Sequence, residues 1–217
     1  MRRLPPGVVF DCDGTLADTE DLSDRAWTAS LAEHGYIPTE AEFRALVGYP
    51  FPENWSYFSR KVDLGDRERF RIGLRDRYLE LFETELALHD DAVGTLRELA
   101  GSGVPIGVAS SSTHASVERV LERAGVRDLV RVVVGVDDVV EHKPAPEPYL
   151  RAAEGLTLEP GSCTAVEDTA VGVRSARAAG MFTVAVVRAH GDRRTLAAAD
   201  RVVDEVTLHA LVAPPTG

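Results

Sequence analysis

Cysteine is almost missing from this chain: Cys12 and Cys163 are the only two in 217 residues. Two thiols make no disulfide framework, so the expectation is a pair of buried, reduced thiols in a cytoplasmic protein. Long hydrophobic runs are also lacking. The basic start Met1-Arg2-Arg3 leads into an apolar stretch that ends at Asp11, which is not a signal-peptide pattern. No run reaches the roughly 20 residues that a membrane-spanning helix requires. Basic charge is short: 24 Lys and Arg stand against 35 Asp and Glu, for a net charge of -11 and a pI near 5.0. Such a chain repels nucleic-acid backbones and anionic membranes, and no basic stripe stands out to reverse that. A small phosphorylated partner stays open to it, because a site can be locally positive or metal-loaded inside an acidic protein. Internal repeats and low-complexity tracts are absent too, and oligomeric state leaves no trace.

What is present suits an ordinary globular chain, 44% hydrophobic and 27% charged, with room for one large domain or a core with a smaller insertion. Val8-Val9-Phe10 is a short apolar run opening into Asp11-Cys12-Asp13-Gly14-Thr15, as a buried strand opens into a loop. Similar runs cover 104–109, 132–134, 163–166, 183–187 and the shorter 201–203. Helical patterns lie between them: an apolar stripe from Val93 to Ala100, Val117-Val120-Leu121-Ala124 closed by Gly125, a run over 147–154, and an Ala-rich segment over 170–179 closed by Gly180. Strands alternating with helices predict an α/β fold, a Rossmann-like doubly wound parallel sheet covered on both faces.

One region breaks the alternation. Residues 17–87 hold no strand pattern. Helices are expected over 21–33 and 41–47, and Phe70, Leu74, Tyr78 and Leu81 mark a longer amphipathic one; Gly48, Pro50 and Pro52 interrupt the middle. The expectation is a core of residues 1–16 and 88–217 with an inserted α-helical cap over 17–87. The aromatics of that segment, Trp27, Tyr49, Phe51, Trp55 and Phe58, suit its own core better than a ligand.

In a parallel α/β sheet, ligands bind beyond the carboxyl ends of the strands. Those ends carry Asp11 and Asp13, then Ser110 with Ser111, then Glu167 and Asp168, while Lys143-Pro144 follows the third strand. Taken singly, each has a plainer reading as turn chemistry, a helix cap or a solvated charge. Taken together they fit phosphoryl chemistry. Asp11 and Asp13, two apart, point the same way while Cys12 points away. One can attack phosphorus, and the other can serve the leaving oxygen as acid and then water as base. Four crowded carboxylates call for a cation, and hard oxygen ligands beside a phosphate favour Mg²⁺. Lys143 offsets phosphoryl charge, and the Ser110 hydroxyl holds a phosphoryl oxygen.

Phe10-Asp11-Cys12-Asp13-Gly14-Thr15-Leu16 resembles the DxDGT motif of the haloacid dehalogenase superfamily. Ser110, Lys143 in His142-Lys143-Pro144, and Glu167-Asp168-Thr169 with Gly172 are similar to its second, third and fourth motifs, in family order. The resemblance implies Asp11 as nucleophile and metal ligand, and Asp13 as general acid/base with its carbonyl on Mg²⁺. It implies Ser110 and Lys143 as phosphoryl-binding groups, Asp168 as a ligand, and Glu167 as a ligand or a group behind it. His114 falls where some relatives contact substrate, and Gly48-Tyr49-Pro50-Phe51 is a candidate specificity loop. A second aspartate at Asp13 argues against dehalogenases and phosphonatases, and transporting ATPases need membrane helices. The expected activity is Mg²⁺-dependent hydrolysis of a small phosphomonoester such as a sugar phosphate or phosphoglycolate. The alternative is a sugar phosphomutase like β-phosphoglucomutase. Against it, Ser23, Phe51 and Val47 stand where that enzyme has His, Arg and Lys, so the grip on a second phosphate is missing. An idle binding protein on the same fold is the remaining alternative.

Overall fold

The structure is a computed structural model and describes residues 4–46, 51–188 and 191–213. Two compact units make up the chain: Met1–Ala17 with Leu88–Gly217, and Asp18–Ala87.

The first unit is built on six parallel strands: β1 (Gly7–Phe10), β2 (Ile106–Ala109), β3 (Val132–Val134), β4 (Cys163–Glu167), β5 (Phe182–Val186) and β6 (Arg201–Val203). Their order across the sheet is β3-β2-β1-β4-β5-β6. Every residue of β1, β2 and β4 is buried. Side chains alternate between faces, so complete burial requires that both faces be covered. The α/β, Rossmann-like expectation therefore holds. The order reverses between β1 and β4, where Phe10 lies opposite Val166. Such a switch point opens a crevice at the strands' carboxyl ends. That places Asp11 beside Glu167.

Helices α5 (Asp90–Gly101), α6 (His114–Arg123), α7 (Glu147–Leu156) and α8 (Ala170–Ala178) link the strands. Helix α7 lays Tyr149, Ala152, Ala153 and Leu156 on Val9 and Ala109 of the sheet. Small alanines allow the close approach, while each fully buried large side chain contributes about 1.5–3 kcal/mol. Both cysteines are buried and unbonded. Among the described residues, no helix is long and apolar enough to cross a membrane.

The second unit holds α1 (Thr19–Ala32), α2 (Glu40–Leu46), α3 (Phe51–Phe58) and α4 (Arg67–Glu85). Asp18 caps α1 by accepting from the Asp21 amide, and Asp66 caps α4 by accepting from Arg69. Trp27, Leu31, Phe58, Leu64 and Phe70 form the core. Trp27, Phe51, Trp55 and Phe58 pack in or against this core, as expected. Helix α3 is a departure: the prolines predicted an interruption there. Pro52 sits in the first turn, where its missing N–H has no helical partner to lose. A second departure concerns charge. Arg67, Arg71 and Arg75 recur every four residues along α4, a basic stripe that the acidic average conceals. Val47, Gly48 and Tyr49, with Pro50, lie outside the described residues.

Candidate active site

The chain leaves β1 through Asp11, whose amide donates to the Val166 carbonyl of β4 at 2.9 Å. Lys143 Nζ lies 2.6 Å from Asp11 Oδ1 and 2.6 Å from Glu167 Oε1, with only 4% of its side chain exposed. Ser110 is fixed at the end of β2 by its amide, which donates a hydrogen bond to the Val134 carbonyl, and its hydroxyl donates to Asp13 Oδ2 at 2.9 Å. Asp168 accepts from the Thr15 hydroxyl at 3.2 Å. Oxygens of Asp11, Glu167 and Asp168 all fall within 4.8 Å of one another. Residues up to 157 positions apart in sequence, from Asp11 to Asp168, therefore meet at the crevice.

The electrostatics are lopsided. Burial, together with Glu167 and Asp13, pushes the Asp11 carboxyl up to about 8 even though Lys143 pulls it down. Burial and the charges of Asp11 and Glu167 likewise hold Asp168 well above the usual carboxylate range. Lys143 is raised well above its ordinary value: burial opposes its charge, but Asp11 and Glu167 overcome that. One lysine does not neutralise this group of carboxylates.

Glu167 is the most constrained of them, with no exposure at all. Its Oε1 accepts from Lys143 and from the Tyr149 hydroxyl at 2.8 Å. Its Oε2 accepts from the amides of Asp168 and Thr169 and from the Thr169 hydroxyl. Gly172 makes room for it: a Cβ there would sit 1.7 Å from Glu167 Oε1. Gly14 makes room for Asp168 in the same way, since a Cβ would stand 2.1 Å from Asp168 Oδ2, and its φ of +78° favours glycine independently. Gly14→Ala is therefore expected to displace Asp168 and to lower whatever turnover the site supports at least about 100-fold, the scale of a misplaced catalytic group. Steady-state assay of the variant, with circular dichroism to confirm the fold, checks this; activity within a few-fold of the parent contradicts it.

The other predicted site residues sit as follows. Ser111 is exposed in the loop after β2. His114 opens α6, with Nδ1 2.7 Å from Asp138 and Nε2 3.3 Å from Glu118. The Asp138 hydrogen bond outweighs partial burial and raises its pKa. Both ring nitrogens thus face acids of its own neighbourhood, a pin between α6 and the turn after β3. Gly48 and Tyr49 fall outside the described residues.

Two residues were missed. Tyr149 is fully buried beneath Lys143, whose Nζ stands 5.0 Å from the ring centre. Nothing in its helical setting distinguishes it from a core residue. Arg188 follows β5 and donates to the carbonyls of Gly14 at 3.2 Å and Thr15 at 3.1 Å, while pairing with Asp91 at 3.0 Å. Asp91 also accepts from the Val206 amide. Arg188 thereby braces the loop that carries Asp13. It stands at a strand's carboxyl end, the same signal that marked the others.

A family model described as haloacid dehalogenase-like hydrolase matches residues 5–180. Validoxylamine A 7'-phosphate phosphatase of Streptomyces hygroscopicus subsp. limoneus is 31% identical, with 92% of this chain and 93% of that protein covered. Fructose-1-phosphate phosphatase YqaB of Escherichia coli is 29% identical over 83% of this chain and 95% of its own. Among solved structures, a CbbY variant from Rhodobacter sphaeroides in complex with xylulose-(1,5)bisphosphate superposes with a TM-score of 0.83 at 27% identity, covering 97% of this chain and 100% of that one. With the family model spanning most of its length and the motif residues gathered at one crevice, the chain belongs to the haloacid dehalogenase-like hydrolases, among their phosphatases.

Proposed function

We propose that the chain hydrolyses a small phosphomonoester, a phosphorylated sugar or polyol in the first instance, through an aspartyl-phosphate on Asp11 and with Mg²⁺ as cofactor. The observation that carries this reading is the buried set of Asp11, Lys143, Glu167 and Asp168 at the sheet's switch point. Curated relatives named for sugar-like phosphates support the substrate class.

The chemistry divides among the chain's own groups. An Asp11 oxygen attacks phosphorus, and the bond from phosphorus to the ester oxygen breaks. Asp13 gives the departing oxygen its proton, then takes one from water as that water displaces Asp11 from phosphorus. Lys143 and the Ser110 hydroxyl offset and orient the phosphoryl oxygens. Glu167 is committed to five donors, so its part is to hold Lys143 and the start of α8 in place. Tyr149 and Arg188 position that machinery without touching substrate.

The carboxylate excess fits a hard divalent cation. Asp11 and Asp168, with the carbonyl of Asp13, are the groups that would hold it. Bound there, it supplies the positive charge that lets a carboxylate approach a phosphate dianion. Because Asp11 is pushed up to about 8 when no cation offsets its neighbours, cation binding must expel its proton. Since Asp168 is raised as well, apparent Mg²⁺ affinity is therefore expected to rise at least about tenfold per pH unit as pH climbs toward about 8. Calorimetry in buffers of different ionisation enthalpy reads both the affinity and the released proton. An affinity flat with pH contradicts the assignment.

The helical unit, Asp18–Ala87, serves as a cap in this reading, moving on hinges near Ala17 and Leu88. Those two residues form a bridge, so the chain's two crossings run side by side. A panel of phosphorylated sugars, polyols, glycolate and nucleotides tests the function: phosphate release is lost with EDTA and restored by Mg²⁺. Glucose 6-phosphate formed from β-glucose 1-phosphate without net phosphate release contradicts hydrolysis and favours a mutase.

A further inference from the structure

The Arg188 guanidinium meets three partners, all within the first unit. Its Nε donates to the Gly14 carbonyl at 3.2 Å, Nη2 to the Thr15 carbonyl at 3.1 Å, and Nη1 to Asp91 Oδ2 at 3.0 Å. Only 15% of the Arg188 side chain and 21% of the Asp91 side chain are exposed, so water competes weakly for these bonds. Asp91 is held in its turn. It stands in the first turn of α5, where the helix dipole favours an acid, and accepts from the Val206 amide at 2.8 Å. Thr95, one turn on, donates to the Val206 carbonyl at 3.0 Å. Burial opposes the Asp91 charge, yet Arg188 and the Val206 amide keep its carboxyl below the ordinary range.

The loop needs such an anchor. Gly14 follows Asp13 directly, and its φ of +78° lies where glycine moves freely. The Gly14 amide donates to the Ala17 carbonyl at 2.8 Å, but that bond does not engage the carbonyls of Gly14 and Thr15. A planar guanidinium that grips two successive carbonyls sets the orientation of both peptides. The Ser110 hydroxyl holds the Asp13 carboxyl from the other side, at 2.9 Å. In the function proposed above that hydroxyl turns to a phosphoryl oxygen, and the backbone then carries more of the aim of Asp13.

We propose that Arg188 and Asp91 form a positioning pair for Asp13, aiming its carboxyl at the oxygen that leaves phosphorus. This rests on the function proposed above, in which the bond from phosphorus to the ester oxygen breaks and the Asp13 proton passes to that oxygen. Arg188 acts through the Gly14 and Thr15 carbonyls and does not touch substrate. The consequence is selective. An oxygen that departs as a stable anion has little need of the proton, whereas one that would depart as an alkoxide depends on it.

Benzyl phosphate and 4-nitrophenyl phosphate are the probes, each built on one aromatic ring. At saturating Mg²⁺, kcat/KM reads the steps through departure of the ester oxygen and leaves out the later attack of water. Arg188→Gln is expected to lower kcat/KM for benzyl phosphate about 10²-fold, the scale of a general acid, with a loss about tenfold smaller for 4-nitrophenyl phosphate. Asp91→Asn should show the same selectivity more weakly. Arg188→Lys keeps the charge but cannot grip both carbonyls and Asp91 together, so it should resemble Arg188→Gln. With Asp13→Asn already in place, Arg188→Gln should cost the two esters equally. Circular dichroism confirms the fold of each variant. Equal losses with the two esters in Arg188→Gln overturn the proposal, as does recovery of the benzyl phosphate rate in Arg188→Lys. Asp13→Asn alone separates the pair from the function it serves. If that variant selects against benzyl phosphate and Arg188→Gln does not, the pair fails while the phosphatase reading stands. If Asp13→Asn shows no selectivity, or neither ester releases phosphate, the role of Asp13 fails and the pair falls with it.

Discussion

Asp11→Asn should fold and fail to turn over, with phosphate release reduced on the order of 10⁴-fold or more, the scale of losing a nucleophile. The amide matches the carboxylate in shape but has no anionic oxygen to attack phosphorus. The fold survives because Lys143 keeps Glu167 as its partner. The same substitution carries a second signature. Burial raises Asp11 to about 8 from an ordinary 3.8, so the folded chain without metal binds a proton that the unfolded chain has lost. A raised carboxyl contributes stability that is complete below about 3.8 and disappears as pH rises through about 8. The metal-free parent should therefore lose stability across that window. Asp11→Asn removes the group responsible, so its melting temperature should fall less and should exceed the parent's near pH 8. Melts in EDTA at several pH values test this, and parallel pH curves contradict it.

Lys143→Met should have the next largest effect, and on two observables. Loss of one charge aimed at the phosphoryl oxygens lowers kcat on the order of 10²–10³-fold. The stability cost has a different origin. Lys143 is the cation that faces both Asp11 and the wholly buried Glu167. Breaking a buried pair by deleting one partner costs about 3–5 kcal/mol, because the other charge is left uncompensated. Adding Glu167→Gln to Lys143→Met should recover part of the stability and none of the rate. Denaturant melts and steady-state kinetics on the two singles and the double separate these effects. Recovery of turnover in the double variant contradicts a role for Lys143 at phosphorus.

Much of the fold and the centre of the site were legible in the sequence, for physical reasons. Parallel strands buried on both faces read as short unbroken apolar runs, and polar residues at their carboxyl ends have one crevice to share. Asp11, Asp13, Ser110, Glu167 and Asp168 stand at such ends, Lys143 follows the third strand, and the resemblance to known motifs gave each an expected role. Tyr149 gave no signal because a hydroxyl aimed at a buried carboxylate looks, in sequence, like any aromatic on a helix's inner face. Arg188 carries the same signal: it follows β5 as Asp168 follows β4. Helix α3 was hidden by Pro50 and Pro52, since a proline in a first turn and a proline in a break look alike until the helix is seen. A cleft of the helical unit that Trp27, Phe51 and Arg71 line depends on three different helices, and local pattern does not encode their meeting. Ser23 and Phe51 stood in place of basic residues, which suggested that the helical unit had lost its cations. Arg71 and Arg75 line the same cleft, so positive charge is present there, carried by α4.

The central claim is that Asp11 takes the phosphoryl group covalently. Acid quench in the first turnovers, with the phosphate-labelled ester the chain uses fastest, tests it directly. The account predicts label on the peptide containing Asp11, removed by hydroxylamine as an acyl phosphate is, and absent from Asp11→Asn. Phosphate released at the full rate with no labelled peptide, or with label on another residue, would contradict it.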